Sequence, residues 1–128
     1  MLSYCRNLHV QTLDIRAGTW FKTPGRTLRE CTIGLIGVGN IGRAVAKRLA
    51  PFGPRVLGFD PIKPPAETAV EMTDLATLLS TSDIVSLHCD LNPTSFHILN
   101  DAAFAKMRRG TYVINTARGK LVEEPALI

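Results

Sequence analysis

The stretch Thr32-Ile33-Gly34-Leu35-Ile36-Gly37-Val38-Gly39-Asn40-Ile41-Gly42 decides how this chain is read. Its first five residues are nearly all apolar and run into glycines, the pattern of a strand buried on both faces of a parallel sheet. The next six spell G-x-G-x-x-G. After them Ile41, Ala44, Val45, Leu49 and Phe52 recur at helical spacing, with Arg43 and Lys47 on the other face. A glycine hexamer alone says little, but between a buried strand and an amphipathic helix it is a phosphate cradle. Gly37 allows the tight turn, Gly39 lets the backbone approach a pyrophosphate, and Gly42 lets helix and strand pack closely. The helix N-terminus adds free N–H groups and the positive end of a dipole.

The next strand, Arg55 to Phe59, stops at Asp60, 18 residues after Gly42. A carboxylate at that place can accept hydrogen bonds from the adenosine ribose hydroxyls and would repel a 2′-phosphate. The expected cofactor is therefore NAD, not NADP; Lys63 nearby weakens that preference slightly. The plainer alternative, glycines that only make a turn and an Asp60 that only caps a loop, leaves the shared register of strand, loop, helix, strand and acid unexplained.

Working outward, Pro51 and Gly53 end the helix, and Pro61, Pro64 and Pro65 make a loop. Thr68 to Met72 reads as a short third strand. Thr73 is placed to cap a helix whose apolar face is Leu75, Leu78 and Leu79. Ile84 to Leu87 is a fourth strand. Asn100 can cap another helix, with Ala103, Phe104 and Met107 inward and Gly110 past its end. Thr111 to Asn115 is a fifth strand, and Leu121 to Ile128 starts a further helix with Pro125 in its first turn. Upstream, residues 3–16 read as one helix with Leu2, Leu8, Leu13 and Ile15 as apolar positions. Gly18 to Arg29 reads as loop, with Trp20 and Phe21 as packing anchors. Strand and helix alternate, which predicts an α/β fold: a Rossmann-type three-layer αβα arrangement around a mainly parallel sheet, incomplete at its C-terminal side. One domain over 1–128 is expected, with 1–29 as a lead-in helix and loop.

Composition narrows the function classes. The chain has 128 residues, 45% hydrophobic and 20% charged, the profile of an ordinary globular domain with a real core. Net charge is +4, but the fifteen Lys and Arg are dispersed and the densest cluster is the pair Arg108-Arg109. Without a basic stripe or interleaved aromatics, nucleic acid is not the expected partner; a small anion is. No apolar run approaches the roughly 18 residues of a membrane helix, and Met1 to Val10 lacks a signal-peptide core. Cys5, Cys31 and Cys89 are odd in number with no metal-ligand spacing. They read as free thiols in the cytoplasm, and no metal is expected.

From Arg16 to Leu127 the sequence resembles the D-isomer-specific 2-hydroxyacid dehydrogenases, the family that includes phosphoglycerate dehydrogenase. Arg16-Ala17-Gly18-Thr19-Trp20 resembles the segment leading into that family's nucleotide domain. Thr32 to Gly42 matches its glycine loop, and Asp83-Ile84-Val85-Ser86-Leu87-His88 matches its fourth strand. The most specific match is Asn115-Thr116-Ala117-Arg118-Gly119 followed by Leu121-Val122-Glu123-Glu124.

The resemblance implies roles. Asn40 and Ile41 would meet the pyrophosphate through their backbone N–H groups, and Asp60 would hold the ribose. His88 and Cys89 would border the cofactor cleft, Thr116 and Ala117 would line the nicotinamide side, and Arg118 would be the catalytic arginine. A planar guanidinium can grip a substrate carboxylate and polarise the carbonyl that receives hydride. Read without the family, Arg118 is a solvated loop arginine, although its place just past a strand end already favours a ligand role. His88 reads equally well as a satisfied buried histidine or a cleft residue. Cys89 reads more simply as a small buried hydrophobe. Ser95 stands where the family usually has a threonine near the cofactor, and Asp90 where a proline is common. His9 and His97 have no assigned partner.

Reduction of a keto acid also consumes a proton. The family takes it from a histidine paired with a glutamate downstream of the last strand seen here, so these 128 residues alone are not expected to be a competent dehydrogenase. The leading function is the NAD-binding domain of an oxidoreductase moving a hydride between NAD and a small 2-hydroxy acid. The alternative is an NAD-sensing, co-repressor-like protein-interaction module without catalysis. An unpaired edge at the fifth strand predicts self-association as a homodimer.

Overall fold

The computed structural model describes residues 1–62 and 69–128. Lys63, Pro64, Pro65 and Thr68, named above, lie outside the described residues. Five strands form one sheet in the order β3-β2-β1-β4-β5, and every pairing is parallel. They are β1 (Thr32–Ile36), β2 (Arg55–Phe59), β3 (Glu71–Met72), β4 (Ile84–Leu87) and β5 (Tyr112–Asn115). The central strand β1 pairs along its length with β2, Thr32 opposite Arg55 and Ile36 opposite Phe59, and on its other side with β4.

Successive side chains of a strand point to opposite faces, and two apolar clusters follow. Ile33, Leu35, Val56 and Ile84 join Leu28, Ala46 and Leu49 on one side. Ile36, Leu57, Val85 and Leu87 join Leu78, Leu79, Leu99 and Leu121 on the other. Helix α3 (Asn40–Leu49) covers the first face, and α4 (Leu75–Thr81) covers the second against β1 and β2. Gly34 permits the second contact: a Cβ there would lie 2.5 Å from both a Leu78 methyl and the Ser82 hydroxyl. The result is the expected three-layer Rossmann-like arrangement.

Several local expectations are corrected. The buried positions of α3 are Gly42, Ala46 and Leu49, not Ile41 and Phe52, and Ile41 is 64% exposed. Gly42 has no room for a Cβ beside the Gly37 carbonyl, and Leu49 and the partly buried Val45 supply the larger apolar side chains that reach the core. Helix α4 is capped by Asp74, whose carboxylate accepts the Thr77 N–H at 2.9 Å. Thr73 still belongs to the strand register, its N–H bound to the Gly58 carbonyl. Strand β3 is confined to Glu71–Met72. Asn100 does cap α5 (Asp101–Phe104), accepting the Ala103 N–H at 3.0 Å, and Pro125 sits in the first turn of α6 (Glu124–Leu127).

The lead-in differs most. Residues 3–16 form two helices, α1 (Leu2–Cys5) and α2 (Leu8–Arg16). Asn7 breaks them with φ 52°, a left-handed conformation that asparagine tolerates, and its amide donates to the Pro24 carbonyl at 3.0 Å. Leu2, Leu8, Leu13 and Ile15 are exposed. Trp20 and Phe21 are 87% and 69% exposed, so they are not anchors within this chain. Contact with the body of the fold runs through buried Cys5, whose carbonyl accepts the Arg26 N–H at 2.8 Å, and through Tyr4, stacked 4.9 Å from Tyr112 on β5. A turn of 3-10 helix at Leu28–Glu30 closes the lead-in. Its reciprocal cap between Thr27 and Glu30 is the T-x-x-E signal carried by the sequence.

Candidate functional site

The carboxyl ends of β1, β2 and β4 meet at the glycine loop. Gly37, at φ 93°, donates its N–H to the Phe59 carbonyl at 2.8 Å. A Cβ on Gly37 would lie 2.6 Å from the Cys89 backbone nitrogen, and one on Gly42 would collide with the Gly37 carbonyl. Gly39 is different: no atom lies within 4 Å of where its Cβ would be. Two of the glycines are thus required by the protein's own packing, and the third fronts open space. Gly39 is also the N-cap of α3 and has no side chain to satisfy the first-turn N–H groups, where Asn40 and Ile41 sit exposed.

Asp60 stands across from this loop. Its Oδ2 accepts the Val38 N–H at 2.7 Å and its Oδ1 the Ile62 N–H at 2.9 Å. Asp60, Gly37, Gly39, His88, Cys89 and Ser95 line one cleft of about 500 Å³, floored by Ile36 and Ile98 and walled by Pro61 and Ile62. His88, just past β4, is half-buried, and burial holds its pKa below the usual histidine range. Its Nε2 lies 3.0 Å from the Ser86 hydroxyl. The ring is thus partnered by Ser86 and lines the cleft. Burial likewise raises the Cys89 thiol, with Asp60 and Asp90 adding to it. Ser95 is buried, and its hydroxyl donates to the Asp90 carbonyl at 2.6 Å and accepts the Asn92 N–H at 2.9 Å. It pins the loop that walls the cleft.

Thr116, Ala117 and Arg118 follow β5, the neighbour of β4, with Leu87 and Asn115 in register. They sit at the same edge of the sheet as the cleft but are not in its lining. Asn115 shapes their turn, accepting the Ala117 N–H at 3.0 Å and donating to the Arg118 carbonyl at 2.9 Å. The exposed Arg118 guanidinium donates to the carbonyl of Ala117.

All 128 residues match the sequence model of the D-isomer specific 2-hydroxyacid dehydrogenase, NAD binding domain. The chain belongs to the D-isomer specific 2-hydroxyacid dehydrogenase family. It is 43% identical over 129 residues to a hydroxypyruvate reductase of Thermotoga maritima, covering 99% of this chain and 42% of that protein. The apo structure of D-lactate dehydrogenase from Escherichia coli superposes with a TM-score of 0.89 at 41% identity, over 99% of this chain and 42% of that one. D-lactate dehydrogenase with NAD+ from Lactobacillus jensenii gives 0.91 at 33% identity, over 98% and 39%. The chain thus spans about two-fifths of the length of each.

In this NAD-binding domain the residues fit the dinucleotide. The empty side of Gly39 and the first turn of α3, which no side chain caps, suit a pyrophosphate, and Asp60 in the cleft lining suits a ribose diol. Three contributors escaped the sequence reading. Arg43, read as an outer-face residue, lines the cleft. Ser86 partners His88, a pairing that two-residue alternation along β4 could have suggested. Asn92 accepts the Thr94 and Ser95 N–H groups, a turn that Asn92-Pro93 signals in the sequence.

Proposed function

We propose that this domain holds NAD for hydride exchange between the nicotinamide and a small 2-hydroxy or 2-keto acid. One observation carries the reading: the Asp60-closed glycine cleft and the Asn115–Arg118 turn share one edge of the parallel sheet. NAD, when bound, would supply a hydride donor or acceptor at its nicotinamide. Gly37, Gly39 and Gly42 shape the phosphate cradle, and Asn40 and Ile41 offer their N–H groups to it. Asp60 takes the adenosine ribose and disfavours a 2′-phosphate. His88, Cys89 and Ser95 wall the cleft, and Thr116 and Ala117 border the nicotinamide. Arg118 releases the Ala117 carbonyl to grip the substrate carboxylate and polarise the reacting carbonyl. His88, kept neutral by burial, is a wall and not the proton source. The proton comes from a residue outside these 128.

The reported relatives bear the names of dehydrogenases and a reductase, which favours this reading over a protein-recruiting module. A calorimetric titration of the 128-residue protein tests it. NADH should saturate near one site per chain and NADPH should bind at least about tenfold more weakly, while no 2-keto acid is turned over. A folded protein that ignores NADH would sink the proposal.

The exposed apolar side chains Leu8, Leu13, Ile15, Trp20 and Phe21 support a homodimer formed through the lead-in; light scattering at rising concentration should show it, and a persistent monomer counts against it. The thiols support a reducing cytoplasm. Cys5 and Cys31 are free thiols that share an S–H···S hydrogen bond at 3.8 Å, and burial together with the Cys5 thiol pushes Cys31 up to about 11. Among the described residues no helix is long and apolar enough to cross a membrane.

A further inference from the structure

The cleft poses an electrostatic problem. A dinucleotide brings a doubly negative pyrophosphate, yet Asp60 and Asp90 already line the space it would enter. Among the described lining residues Arg43 is the only Lys or Arg. A helix N-terminus supplies roughly half a positive charge, too little to offset two carboxylates and two phosphates.

Arg43 is held in an unusual way for a surface arginine. It sits one turn into α3, and its Nη2 donates to Asn40 Oδ1 at 2.7 Å. Asn40 is the first residue of that helix. The bond therefore folds the guanidinium back toward the helix N-terminus, on the cleft that Gly39 also lines, when it could have extended into solvent. Among the described residues no carboxylate forms an ion pair with it. A guanidinium whose position is already fixed loses less rotamer freedom on meeting a phosphate.

We infer that Arg43 binds the cofactor pyrophosphate and that Asn40, through its side chain, is the residue that positions Arg43 for it. The inference rests on the NAD-binding reading of the cleft and adds a charge contact to it. Asn40 then acts twice, by its backbone N–H toward the phosphates and by its amide oxygen toward the arginine. The anchoring on Asn40, and not on Asp60, directs Arg43 to the pyrophosphate and away from the ribose 2′ position.

Titration calorimetry of the 128-residue protein tests this with NADH, ADP-ribose, NADPH and adenosine at low and high salt. Arg43→Gln should weaken NADH and ADP-ribose alike by about tenfold, and it should flatten the salt dependence of Kd. Arg43→Lys should restore part of the loss, since it keeps the charge without the fork. Asn40→Ala should weaken both ligands by a few-fold while keeping the wild-type salt dependence. Adenosine binding and the unfolding midpoint should not move in any variant. Unchanged NADH affinity for Arg43→Gln at low salt overturns the inference, as does a loss confined to NADPH, which would put Arg43 at the ribose instead. A wild-type chain that binds neither NADH nor ADP-ribose overturns the nucleotide reading itself, and this inference with it.

Discussion

The carboxylate of Asp60 accepts the backbone N–H of Val38 at 2.7 Å, so the acid that ends β2 also holds the glycine loop that ends β1. With Ile62 on its other oxygen, Asp60 organises the loop before any ligand arrives. Asp60→Ala should lower stability by about 1.5–3 kcal/mol, the weight of a charge-assisted hydrogen bond, and weaken NADH at least about tenfold. Asp60→Asn keeps one acceptor oxygen and removes the charge. It should retain most of the stability and narrow the gap between NADH and NADPH. Urea unfolding paired with titration separates the two effects, and an unchanged urea midpoint for Asp60→Ala would show that the Val38 bond contributes nothing.

The glycines should divide into two kinds. An alanine at 39 enters open space, so Gly39→Ala should unfold within about 0.5 kcal/mol of the parent yet lose NADH binding, because the methyl fills the pyrophosphate's place. An alanine at 42 meets the Gly37 carbonyl and has no room. Gly42→Ala should cost several kcal/mol or fail to fold, as overpacking against backbone does. Thermal melts of the two variants side by side check this; equal melting temperatures would refute the assignment.

Asp83 is a hub at the opposite edge of the sheet. Its Oδ2 accepts the Thr32 N–H at 2.8 Å, and its Oδ1 meets Arg26 at 3.2 Å and Arg108 at 3.3 Å. Burial pushes its pKa up, but the Thr32 amide, Arg26 and Arg108 outweigh that and leave it below the usual carboxylate range. A carboxyl depressed in the folded state adds stability above its unfolded pKa of about 4 and loses it as pH falls through the folded value. Asp83→Ala should therefore destabilise by about 1–3 kcal/mol at pH 7, with the difference shrinking below pH 4. Most of it comes from the Thr32 bond, since both arginines are more than half exposed. Denaturant melts of both proteins across pH 3 to 7 give the answer, and a gap that stays constant with pH would contradict it.

His97 has φ 50°, a region that costs a residue with a Cβ, and its ring stacks on Phe96 with centroids 3.9 Å apart. His97→Gly removes the strain and the stack together, so the melting temperature should change little. His97→Val introduces a β-branched side chain at a positive φ and should cost more than about 1 kcal/mol. If valine were tolerated as well as glycine, the backbone there would not be strained.

The sheet was legible because β1, β2 and β4 are short apolar runs between turn-forming residues, and the nucleotide cleft because glycine spacing and Asp60 lie along one stretch of chain. The caps were legible where one residue type offers one partner, as at Asn100. They were missed where neighbours compete, as Thr73 and Asp74 do: the carboxylate is the stronger acceptor, and Thr73 is already bound into the sheet.

The sequence by itself determined the element order, the parallel α/β class, the phosphate loop and the acid that faces it, because each depends on residues close together in the chain. Only the tertiary structure decided which helix face is buried, that Trp20 and Phe21 stay outside, that Ser86 partners His88, and that Arg43 turns into the cleft. Those depend on where an element lies against its neighbours. Helical periodicity shows that a face is apolar, but it cannot show that Gly42 must pass against the Gly37 carbonyl, that Ile41 is left in solvent, or that Arg43 lines the cleft.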